Sequence, residues 1–111
     1  MLAGGQADAA LAKLAEARAI REPIAATRRQ QAVYARGLAR LYTDTGDARV
    51  MQAKRSPASA GRWRDARQSY RDALDLWTEL RHRNALWATE REKPEEVSRK
   101  MAACDADAGR D

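Results

Sequence analysis

Few residues in this 111-residue chain combine the type and spacing that chemistry requires. His82 is the only histidine and Cys104 the only cysteine. A zinc site needs further Cys or His ligands at short, regular spacings, and none accompanies His82. Flanked by Arg81 and Arg83 near a helix end, His82 reads as a group favoured by the negative end of the helix dipole. Cys104 shares a helical stripe with Val97, Met101 and Ala108, which makes it a packing residue. Trp63, Tyr70 and Trp77 have the types of an aromatic cage, but their spacing puts them on one apolar arc, where they build core. The carboxylate pairs Asp72/Asp75 and Glu95/Glu96 lack the apolar surroundings that raise a pKa for acid–base work. The expectation is a chain with no catalytic, metal-binding or cofactor-binding residues, and hence no cofactor and no enzymatic activity.

Charge is the one bulk feature that points to a partner. Lys and Arg number 21 against 16 Asp and Glu, a formal net charge of +5. The surplus is local: residues 28–71 hold eleven basic and three acidic groups, while residues 72–111 hold seven basic and ten acidic. A positive block suggests nucleic acid. Against that, the cations are spread around two helices and a loop, the aromatics are used in the core, and no nucleic-acid motif is present. A solvated basic face fits better.

The elements that would carry these residues are all helical. Of the 49 residues counted as hydrophobic, 25 are Ala, and Leu, Ile, Val and Phe together number only 14. So small a stock of large side chains excludes a thick globular core and a large enzyme. Helical periods cover about 6–22, 28–45, 62–83 and 94–106. In the first, Ala7, Ala10, Leu11, Leu14, Ala17 and Ile24 share a side, and Pro23 is expected to stop or kink the end. In the second, Tyr34, Leu38, Leu41 and Tyr42 share a face beside Ala32, Ala35 and Ala39, and Gly46 is the expected stop. The third is the clearest, with Trp63, Ala66, Tyr70, Ala73, Leu74, Leu76, Trp77 and Leu80 on one arc. The fourth opens on Pro94, Glu95 and Glu96, suited to a first turn. Residues 47–61 read as a loop after at most a short helical turn, and Leu86 and Trp87 are expected to fold back onto the third helix. No apolar run reaches transmembrane length, the N-terminus lacks a signal-peptide pattern, and a cytoplasmic location is expected.

Two segments repeat. Gly5-Gln6-Ala7-Asp8-Ala9-Ala10 parallels Gly61-Arg62-Trp63-Arg64-Asp65-Ala66, each followed by a large residue (Leu14, Tyr70) and then an alanine (Ala17, Ala73). This resembles the second-helix half of a tetratricopeptide unit, and Leu38-Ala39, Tyr42 and Gly46 resemble the first-helix half. Further on, Trp63-Arg64-Asp65-Ala66-Arg67, Ala73-Leu74-Asp75-Leu76-Trp77 and Lys93-Pro94-Glu95-Glu96-Val97 resemble the C-terminal tetratricopeptide region of bacterial eukaryotic-type serine/threonine protein kinases. Asn84 stands where that family has Gly, which a left-handed helix stop tolerates. The Gly-rich loop, H-R-D and D-F-G motifs of the kinase domain are absent from this chain.

The resemblance implies an all-α fold of tetratricopeptide-like antiparallel helix pairs, one region over 1–111, a short solenoid fragment with a C-terminal capping helix. It also implies a protein–protein interaction module. In such arrays the first helices line a groove, so Arg29, Val33, Arg36 and Arg40 would present guanidinium groups to a protein or an acidic peptide. Two rival readings stand beside it: a small basic nucleic-acid-binding helical protein, and a truncated gene product with no function alone.

Overall fold

The computed structural model describes residues 2–55 and 60–108. Four α-helices carry the chain: α1 (Leu2–Thr27), α2 (Ala32–Arg55), α3 (Ala60–His82) and α4 (Lys93–Ala108), with a 3₁₀ turn at Ala88–Glu90 between the last two. No strand occurs among the described residues, and the fold is all-α. Each helix packs on its neighbours in the chain, α1 on α2, α2 on α3 and α3 on α4. No helix among the described residues is long and apolar enough to cross a membrane.

The expected apolar arcs form the core. Trp77, Tyr70, Leu80, Ala66 and Ala73 of α3 are buried against Ala39 and Ala53 of α2 and against Val97, Met101 and Cys104 of α4. Alanines at the contacts let the backbones approach, and the aromatics fill the space between them. Trp77 is fully buried, and its indole N–H donates to Thr43 Oγ1 at 3.2 Å, so a large side chain enters the core with its one polar group satisfied.

The end of α3 is built around Asn84. Asn84 has φ of 54°, and the N–H groups of Asn84 and Ala85 donate to the carbonyls of Arg81 and Leu80. This double bond pattern closes a helix through a left-handed residue, which Asn adopts at small cost.

Three local signals give way to tertiary packing. Pro23 lies inside α1, which continues to Thr27. That end is held by the neighbouring helix, where Arg21 donates to the Gly37 carbonyl and the Tyr42 hydroxyl donates to Glu22. Gly46 does not end α2, and most of the expected loop over 47–61 is helix as far as Arg55, with 56–59 outside the described residues. The reason is a close approach: a Cβ on Gly46 would lie 2.5 Å from Cε1 of Tyr70. Glycine is there to admit the Tyr70 ring between α2 and α3. Third, Leu86 is half-buried against the core as expected, but Trp87 turns to α2.

Candidate functional site

The arginines expected to line a groove fall into two groups. Arg36 is 6 % exposed, with Nε 2.9 Å from Glu90 Oε1 and Nη2 donating to the Ala85 carbonyl. Arg40, half-exposed, places Nη2 2.9 Å from Glu90 Oε2. Trp87 lies across both guanidinium groups, its ring centre 4.0 Å from Arg36 Cζ and 5.3 Å from that of Arg40. Glu90 is 2 % exposed and also accepts the Trp87 backbone N–H at 3.0 Å. Burial opposes ionisation of Glu90, but the Trp87 N–H and the two guanidinium groups outweigh it and hold the carboxyl below its ordinary range.

The acidic group that meets Arg36 and Arg40 is therefore the chain's own. Arg36 is not open to a peptide, which corrects the expected presentation of its guanidinium. The cause is the 83–92 connector, which crosses α2 and is tied down again where Arg83 donates to the carbonyls of Arg29 and Gln30. Arg29 and Val33, by contrast, are exposed, Val33 at 59 %.

The remaining candidates for chemistry have ordinary surroundings. His82 is exposed in the last turn of α3. Cys104 is buried, and burial, followed by Asp105 and Asp107, pushes its thiol pKa up, away from a reactive thiolate. Asp72 accepts from Gln68 and Asp75 sits 3.8 Å from Arg71, while Glu95 pairs with Arg81 and Glu96 with Lys93. No group of three or more potential ligands able to hold a metal ion occurs among the described residues.

The open feature is a trough on the other side of α2. Its floor is α2, and its walls are α1 and α3, both antiparallel to the floor. At one end, a cleft of about 230 Å³ lies between Leu11, Leu14 and Arg18 of α1, Thr45 and Arg49 of α2, and Arg62 of α3. At the other, a cleft of about 420 Å³ is bounded by Glu22, Ala25 and Ala26 of α1, Ala35 and Leu38 of α2, and Leu76 and Glu79 of α3. A polar bridge separates them. The Tyr42 hydroxyl on the floor donates to Glu22, Arg18 Nε lies 2.7 Å from the same carboxylate, and the Arg18 guanidinium sits 5.9 Å over the Tyr42 ring. The Tyr42 hydroxyl, helped by Arg18, holds the Glu22 pKa down against burial.

On the opposite side, α2, α3 and α4 are tied by a smaller constellation. Asp47 Oδ1 accepts from the Tyr70 hydroxyl at 2.5 Å and from Lys100 Nζ at 2.9 Å, beside an apolar slot of about 260 Å³ walled by Val50, Trp63 and Cys104. Burial first, and then Asp47, raises the Tyr70 pKa, so the phenol stays protonated and donating.

Periodicity did not reveal the trough. Its lining comes from three helices and mixes alanines with half-buried and charged side chains, so no single segment carries a signal beyond the pairing of Leu11 and Leu14 with small residues at Ala25, Ala26 and Ala35. No family model, no curated protein and no solved structure matches the chain.

Proposed function

We propose that this chain is a non-enzymatic helical-repeat module for protein–protein interaction, with the α1–α2–α3 trough as its contact surface. The observation that carries the reading is the trough itself, long, part apolar, and edged by charged side chains of both signs. At the larger cleft the floor is apolar, Ala35 and Leu38, with a few polar groups placed around it, as in recognition grooves between helices. In this reading α1 and α3 are second helices of tetratricopeptide-like units, α2 is a first helix and α4 a cap. We place it in the cytoplasm, as the C-terminal kind of region found in bacterial eukaryotic-type serine/threonine protein kinases. Its mechanism is presentation of shape and charge, with no bond made or broken.

The test is retention of partner proteins from a cell extract by the wild-type chain and by Ala25→Trp or Ala26→Trp, which fill the larger cleft. Proteins held by the wild type and lost by both folded variants support the reading. An identical set on all three removes the trough as the contact surface.

A further inference from the structure

We propose that the outward face of α1 joins two copies of this chain into a reversible antiparallel dimer. One side of α1 is packed on α2, with Ala7 buried and Leu11, Leu14 and Glu22 half-buried. On the opposite side, Gln6, Ala9, Lys13, Glu16, Ile20 and Pro23 recur at alternating steps of three and four residues, and all six are exposed. That alternation keeps a stripe in line for a second helix laid along the first. The stripe carries Ile20, 65 % exposed, with Ile24 beside it at 38 %. Ala12 and Ala19, also exposed, flank it, and small side chains there let two helices approach closely. None of the six lines the trough, so a second copy leaves the trough open.

The charges name the occupant. Lys13 and Glu16 make no ion pair and no side-chain hydrogen bond among the described residues. Because α1 spans Leu2–Thr27, its midpoint falls between Leu14 and Ala15, which is also the point midway between Lys13 and Glu16. Two α1 helices laid antiparallel over their full length of roughly 39 Å therefore bring Lys13 of each copy against Glu16 of the other. The same register sets each Ile20 against an Ala9, large on small, and each Gln6 against a Pro23. The face is its own complement, as a two-fold interface requires. A parallel pairing sets Lys13 on Lys13 and Glu16 on Glu16, which like-charge repulsion disfavours. With alanines for most of its apolar contact the interface is small, and the dimer forms and dissociates with concentration.

The experiment is sedimentation equilibrium of the full chain from about 10 µM to about 1 mM at low salt, where the mass should rise from one chain toward two. Lys13→Glu and Glu16→Lys, both at exposed positions, should each weaken association about tenfold or more. An equimolar mixture of the two variants should regain the wild-type mass, because each then presents to the other the charge that it repels in itself. That recovery also shows that both variants fold. Under oxidation, Ala9→Cys and Ile20→Cys chains should join to each other and not to their own kind, whose sulfurs stand roughly 16 Å apart along the seam. A single-chain mass at every concentration gives the face to a different protein and overturns the proposal. So do variants that associate like the wild type, a mixture that stays monomeric, or Ala9→Cys chains that join to one another.

Discussion

Arg36 and Glu90 stand 54 positions apart in the chain and meet at 2.9 Å, both buried, with Trp87 lying over the guanidinium. The pair fastens the connector between α3 and α4 to α2, so a segment with only a 3₁₀ turn of its own acquires a fixed path. Among the described residues no buried side-chain nitrogen or oxygen lacks a partner, and this clasp supplies several of those bonds.

Breaking one side of the clasp leaves a buried charge alone. Glu90→Ala should destabilise the chain by about 3 kcal/mol or more in urea denaturation, because Arg36 is left desolvated and unpaired. Arg36→Met with Glu90→Leu should recover most of that loss, since both charges go together. A Glu90→Ala effect near zero would show that the connector is not held this way.

The same carboxylate sets an acid limit. Its pKa is lowered in the folded chain relative to the ordinary glutamate value of about 4.3. A group depressed on folding contributes its full stability above the unfolded value and loses it as pH falls through the folded one. Melting temperature should therefore fall as pH drops below about 4.3, and less steeply in Glu90→Gln. Parallel profiles for the two proteins would contradict the assignment.

Gly46 gives a test with an unusual sign. In a helix interior, Gly→Ala ordinarily stabilises by about 0.5–1 kcal/mol. Here the new methyl would strike Tyr70, whose ring is held by its bond to Asp47, so Gly46→Ala should destabilise by about 1–3 kcal/mol. Thermal or urea unfolding reads the sign directly.

Cys104 reports on the core. Its thiol is buried between α3 and α4 and its pKa is raised by that burial, so a thiol reagent at neutral pH should label it only as fast as the fold opens. Labelling of the native chain at the rate seen in denaturant would place Cys104 at the surface.

The parts legible in the sequence were those decided within one helix. The Trp63–Leu80 arc, the Val97/Met101/Cys104 stripe and the left-handed stop at Asn84 follow from period and local backbone preference, and the structure has them. Neither Pro23 nor Gly46 stops its helix, because contacts from another helix outweigh a local breaker, Tyr42 and Arg21 in one case and the Tyr70 ring in the other. Arg36 and Arg40 were expected to face a partner's acidic peptide, but the carboxylate they meet is the chain's own Glu90, fifty positions away in Arg40's case and beyond any periodic signal. The trough is hidden for a related reason. A surface made by three helices leaves no spacing on any one of them.

The most direct test of the central claim is site-specific photo-crosslinking from the trough and from the far side. A benzophenone side chain at Ala26, exposed on the trough wall, should yield discrete crosslinked partners in a cell extract, and one at Ala102, exposed on α4, should not. The same products from Ala102, or none from Ala26 while partners are still retained, would contradict a trough-centred interaction.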